Sequence, residues 1–128
     1  MTLVRLDHVQ LAMPGGREED ARRFYVGALG LREVPKPPNL ARRGGAWFEG
    51  GEGVRVHLGV EEDFRPARKA HPAFVVRDLR RLAADLRARG FETVADEPLE
   101  GFDRLYTSDP FGNRIELMEP ARGPSDEA

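Results

Sequence analysis

One pattern limits the architecture of this 128-residue chain more than any other: the same order of chemical character runs through it twice. Residues 3–13 (LVRLDHVQLAM) alternate about His8, and HPAFVV at 71–76 opens on His71, 63 positions later. ALGLREV at 28–34 is echoed by ARGFETV at 88–94, which sets Gly30 against Gly90 at an offset of 60. His57 and Glu116 stand in corresponding late segments, 59 positions apart. Offsets that drift so little are what small loop-length changes leave in a duplicated unit.

Each copy reads β, α, β, β, β. In the strand at 3–13, Val9, Leu11 and Met13 take one face while His8, Gln10 and Ala12 take the other. After Pro14-Gly15-Gly16, EEDARRFYVGAL places Ala21, Phe24, Tyr25 and Ala28 at helical spacing, opens with acidic residues and stops at Gly30. Strands near 31–35, 46–49 and 54–60 follow, separated by the loop PKPPNLARRGG and the turn GGEG. The second copy has a strand at 71–76 and a helix from about Asp78, its N-cap, with Leu79, Leu82, Ala83 and Leu86 on one face. Strands at 88–94, 104–108 and 114–119 complete it, the last after the turn Asp109-Pro110-Phe111-Gly112-Asn113. The expected architecture is one α+β domain over 1–128. It holds βαβββ units at about 3–60 and 70–119, with a frayed tail at 120–128. Two curved, four-stranded mixed sheets would carry a helix on each outer face and leave their inner faces to form a cavity.

Composition removes several functions. The formal charge is -2, from 20 basic and 22 acidic residues mixed along the chain, so no basic field offers itself to a nucleic-acid backbone. With no cysteine, disulfides, thiolate sites and cysteine nucleophiles are excluded, and a metal must bind nitrogen and oxygen. No signal-like N-terminus or membrane-length apolar run is present, so the expectation is a soluble, cytoplasmic protein without nucleic-acid or membrane partners.

All three histidines, His8, His57 and His71, fall at equivalent positions of the repeat, and Glu116 takes the fourth. Period-2 alternation puts Val9, Leu11, Val56, Leu58, Phe74, Ile115 and Leu117 on the opposite faces, so the four polar side chains share the inner surface. Imidazole nitrogen and carboxylate oxygen suit Zn, Ni, Fe, Mn or Co, and strands can hold them with coordination positions left open. His57 stands either as a fourth ligand or as a base. Alternation also turns Gln10, Arg55, Arg114 and Met118 toward substrate, joined by Trp47, Arg104 and Tyr106 from neighbouring strands. The arginines could clamp an anion or snorkel to solvent; Trp47 and Tyr106 could stack on a planar group. Arg42-Arg43 reads as a solvated loop.

LDHVQLAM and FYVGALGL in the first unit, with Asp109-Pro110-Phe111-Gly112-Asn113-Arg114-Ile115-Glu116-Leu117 in the second, resemble the vicinal oxygen chelate superfamily over residues 3–119. That group includes glyoxalase I, fosfomycin-resistance transferases, methylmalonyl-CoA epimerase, extradiol dioxygenases and bleomycin-resistance proteins. The resemblance implies that Glu116 is the hairpin carboxylate ligand, His8 the first-strand ligand, His71 the ligand opening the second unit, and His57 the remaining one. It further implies a homodimer in which one subunit's first unit meets its partner's second, although some members pair both units within one chain. The activity so implied is a divalent-metal-dependent enzyme that chelates a small oxygen-bearing substrate, of lyase/isomerase or dioxygenase type, with Glu116 and His57 as catalytic groups. The competing expectation is a drug-sequestering binder of the bleomycin-resistance type, which has little use for three histidines and a glutamate on its inner face.

Overall fold

Alternation becomes two sheets in the computed structural model of the chain, which describes residues 1–121. The first sheet is ordered β1-β4-β3-β2, from β1 (Val9–Met13), β2 (Arg32–Val34), β3 (Ala46–Glu49) and β4 (Arg55–Val60). The second is ordered β5-β7-β6, from β5 (Ala73–Val75), β6 (Phe102–Ser108) and β7 (Arg114–Pro120). In each, the first strand runs parallel to the last and the remaining pairs are antiparallel. The mixed, α+β character expected from the repeat is therefore present.

Three local expectations fail, each for a visible reason. The strand expected over 3–13 begins only at Val9, because its ladder with β4 starts at Val9 opposite Val56 and β4 itself starts at Arg55. The strand expected over 88–94 is reduced to a bridge between Val94 and Tyr106, leaving three strands in the second sheet rather than four. There the Glu92 carbonyl is taken by the Thr107 hydroxyl (2.7 Å) instead of a ladder amide. The loop at 35–45 contains a short helix, α2 (Pro38–Ala41), started by prolines; Arg42 and Arg43 beyond it are exposed, as a solvated segment should be. Of the tail expected to fray, residues 122–128 lie outside the described residues.

The first helical segment begins as α1 (Glu18–Arg22) and continues as a π-helix over Arg23–Ala28, with Leu29 donating to the Phe24 carbonyl at 2.9 Å. Ala21, Phe24, Tyr25 and Ala28 are buried, as their spacing requires. Helix α3 (Leu79–Ala88) is capped by Asp78, whose side chain accepts from the Arg81 amide and whose backbone is left-handed (φ 54°). Both helical segments pack on the apolar outer faces, where Leu11, Val56, Leu58, Ile115 and Leu117 are buried. Each such side chain contributes about 1.5–3 kcal/mol relative to exposure.

The units meet back to back. Phe24 lies edge-on to Phe91 with ring centroids 5.0 Å apart, and Arg17 covers Phe111. At the centre, Tyr25 donates to Asp109 (2.7 Å) while the Asn113 amide donates to the Ala12 carbonyl (2.8 Å) and to Asp109 (3.0 Å). The turn ahead of β7 thus clasps the first unit. This arrangement covers the outer faces and leaves the inner ones open.

Candidate functional site

Strand register fixes which residues share the inner faces. In the first sheet Gln10, His57 and Trp47 form one rung, and Arg55 with Glu49 forms the next, beside His8. In the second sheet Ala73, Glu116 and Tyr106 form the matching rung, flanked by Met118 with Arg104 on one side and Arg114 with Ser108 on the other. His57 therefore corresponds to Glu116, Trp47 to Tyr106 and Arg55 to Arg114. His8 and His71 each sit just ahead of the edge strand of their sheet, where the ladder does not yet pin the backbone.

In the first half-site, the His57 ring is stacked on both faces. Trp47 lies parallel to it at 3.8 Å (3° between planes), and His8 lies against its other face at 4.0 Å (21°). His57 is 9% exposed; burial, with the neighbouring His8, lowers its pKa below the ordinary histidine value. His8 Nδ1 donates to the Asp7 carboxylate (3.0 Å), which lowers the Asp7 pKa and leaves His8 Nε2 with a free lone pair. Arg55 pairs with the same Asp7 (2.9 Å) and reaches Glu49 at 3.9 Å. Gln10 turns away along the strand and lies over Gly59, where a Cβ would sit 2.3 Å from its amide nitrogen.

The second half-site is charged. His71 Nδ1 lies 2.8 Å from the Lys69 carbonyl, an acceptor, so that nitrogen carries the hydrogen. The remaining nitrogen, Nε2, then faces Glu116 Oε1 at 2.9 Å. A lone pair and a carboxylate oxygen in that relation need a cation, proton or metal, between them. Burial pushes the Glu116 pKa up, but hydrogen bonds from His71 and Arg104 outweigh it and hold the carboxyl below its usual range. Arg104 links the Tyr106 hydroxyl (2.8 Å), the Glu97 carbonyl (2.7 Å) and Glu116 (3.4 Å), while its buried Nε has no partner among the described residues. The Arg114 guanidinium stacks on Tyr106, 3.8 Å from the ring centre, and a hollow of about 470 Å³ opens beside them, bordered by Arg68 and Asp96.

The four candidate ligands are thus brought together as two pairs and not as one cluster. Among the described residues, no three His, Cys, Asp or Glu side chains within the chain converge on a point that could hold a metal. Among the described residues the two inner faces do not close on each other within one chain, because the units pack through their helical faces. A hollow of about 1200 Å³ lies between α3 and the second sheet and touches none of the candidate residues. Sequence reasoning missed the supports of the two edge histidines. The Asp7-His8 adjacency was a readable signal for one; the Lys69 carbonyl, a backbone group, left none.

Comparison with known proteins agrees with the fold. The model of the Glyoxalase/Bleomycin resistance protein/Dioxygenase superfamily matches residues 5–117. A glyoxalase family protein from Bacillus anthracis is similar at 45% identity, with a TM-score of 0.89 over 94% of this chain and 98% of that one. The fosfomycin resistance protein FosX from Listeria monocytogenes shares the fold at 15% identity (TM-score 0.70, 95% of each chain). So does TnmS3, an antibiotic binding protein from Streptomyces sp. CB03234, at 22% identity (TM-score 0.70, 94% of this chain and 99% of that one). No match was found among proteins of curated function.

Proposed function

The chain belongs to the glyoxalase/bleomycin resistance protein/dioxygenase superfamily, and from that premise we propose that it is a divalent-metal-dependent enzyme whose site is shared between two copies. The reading rests above all on His71 and Glu116, whose Nε2 and Oε1 approach to 2.9 Å with a cation, proton or metal, called for between them, while His71 Nδ1 lies against a carbonyl. His8 has the same preparation, with Nδ1 tied to Asp7 and Nε2 free. Histidine ligands characteristically spend their second nitrogen in this way. The residues therefore fit a nitrogen-and-oxygen-bound ion such as Zn, Ni, Fe, Mn or Co.

One chain supplies only half of each set. In the proposed homodimer, His8 of one protomer joins His71 and Glu116 of the partner subunit, and the two open inner faces become the walls of a closed groove. Unburied apolar residues support a covering copy: Leu3, Val4 and Leu6 just ahead of β1, and Val75 in β5, 66% exposed on the inner face.

An ion held there would supply Lewis-acid stabilisation of charge developing on substrate oxygens. The chain's own residues do the rest. Glu116 and neutral His57 are the groups able to accept a proton. Arg104, Arg114 and Arg55 give the groove fixed positive charge toward a small oxygen-bearing substrate, and Trp47 and Tyr106 give it flat walls. Among the described residues no helix is long and apolar enough to cross a membrane.

The test is elemental mass spectrometry of purified protein, wild type against His8→Ala and Glu116→Ala. Near-stoichiometric metal in the wild type, lost in both variants, is expected. A folded wild type that stays empty after reconstitution with each ion overturns the enzyme reading in favour of metal-free capture of a planar ligand between Trp47 and Tyr106.

A further inference from the structure

We infer that His57 is a positioning residue for His8 and not a fourth metal ligand; this rests on the shared metal site proposed above.

Two observations separate His57 from the other histidines. The first is its neighbours. His8 and His71 each have Nδ1 against an oxygen acceptor, Asp7 and the Lys69 carbonyl, which fixes the tautomer and aims Nε2. Among the described residues, no oxygen orients either ring nitrogen of His57; what holds it is the π-face of Trp47. The second is geometry. Two imidazoles bound to one ion have ring centroids about 5 Å apart, because both nitrogens point at a common centre from directions about 90–110° apart. His8 and His57 are face to face at 4.0 Å. To ligate beside His8, His57 would have to swing away from it, and Trp47 blocks that movement from the far side at 3.8 Å.

The corresponding rung of the second sheet shows that this is particular to the first half-site. There the residue matching His57 is Glu116, and the residue matching Trp47 is Tyr106, but no stack forms. Tyr106 instead binds Arg104 through its hydroxyl, carries Arg114 on its face and meets His71 edge-on. The second unit therefore offers two ligands, His71 and Glu116, while the first offers one ligand on a two-ring shelf. Because His8 precedes β1 and lacks the ladder's support, the shelf and the Asp7 hydrogen bond are what aim it.

The test uses Co²⁺ binding to the full-length protein, read by a competing chromophoric chelator and by the visible ligand-field spectrum. His57→Phe keeps a flat ring but removes the nitrogens; it is expected to bind within about threefold of wild type with the same spectrum. His57→Ala and Trp47→Ala remove the shelf and are expected to weaken binding about tenfold, again without a spectral change, and Trp47→Phe to restore it. Loss of Co²⁺ in His57→Phe as complete as in His8→Ala, or a spectrum reporting one nitrogen fewer, overturns the assignment. Nitrogen NMR of the Zn²⁺-loaded wild type decides the matter without any variant. Two metal-bound histidines per protomer are expected, and three overturn the inference while leaving the metal site standing. A wild type that takes up neither ion overturns the metal reading and this assignment together.

Discussion

Asn113→Ala should cost about 3 kcal/mol of stability, through loss of the clasp that joins the two units. The side chain is 1% exposed and makes three hydrogen bonds: to the Ala12 carbonyl (2.8 Å), to Asp109 (3.0 Å) and from the Ala67 amide (3.0 Å). A hydrogen bond to a charged group contributes about 1.5–3 kcal/mol, a neutral one about 1, and the half-buried Ala67 amide can recover part of its loss from water. Against a total stability of about 5–15 kcal/mol, that deficit is large. Asn113→Asp sharpens the test. It keeps the shape but sets one carboxylate against another at the 3.0 Å now spanned by the amide, and faces the Ala12 carbonyl with an acceptor. It should therefore be worse than alanine at pH 7 and recover as acid supplies a proton to the pair. Urea unfolding followed by Trp47 fluorescence, repeated at several protein concentrations to separate folding from association, measures both. A loss below about 1 kcal/mol for Asn113→Ala, or an Asn113→Asp deficit independent of pH, would refute the clasp as a fastener.

Other expectations follow from single contacts. Tyr25→Phe removes one buried hydrogen bond to Asp109 and should cost about 1.5–2 kcal/mol in the same assay. The Glu116 pKa is depressed in the fold, so its contribution is present above the ordinary carboxyl value and lost as pH falls through the depressed one. The stability gap between wild type and Arg104→Met, measured by thermal melts across pH, should accordingly be widest near neutrality and shrink below about pH 4.5. Gly45→Ala should be severe, by about 2 kcal/mol or more, since φ is +81° and the new Cβ would lie 2.0 Å from the Leu58 carbonyl. Gly59→Ala meets only the movable end of Gln10 and should unfold within about 1 kcal/mol of wild type.

The outer faces were readable from sequence because they obey one rule: Leu11, Val56, Leu58, Ile115 and Leu117 alternate with polar residues, and Ala21, Phe24, Tyr25 and Ala28 repeat at helical spacing. The duplicated positions of His57 and Glu116 likewise appear as matching rungs of the two ladders, and His8 and His71 each stand just ahead of the first strand of their unit. Local chemistry cannot report where a strand's partner ends, so residues 3–8 read as strand although β4 begins only at Arg55. The same blindness made 88–94 a strand when a threonine hydroxyl takes the Glu92 carbonyl. The sequence also left open how the two units pack. Alternation says that the inner faces are polar, but whether they close on each other within the chain depends on the turn ahead of β7. There Asp109 and Asn113 read as turn residues, while in the fold they clasp Tyr25 and Ala12 across the chain.

Mixed dimers test the shared site most directly. Equal amounts of His8→Ala and Glu116→Ala protein are unfolded together, refolded, and separated by distinguishable tags to isolate the mixed species. If each site takes His8 from one protomer and His71 with Glu116 from the partner subunit, one site of the mixed dimer lacks both residues and the other is intact. The account predicts one metal ion per mixed dimer and none in either parent variant. A mixed dimer as empty as its parents would contradict it.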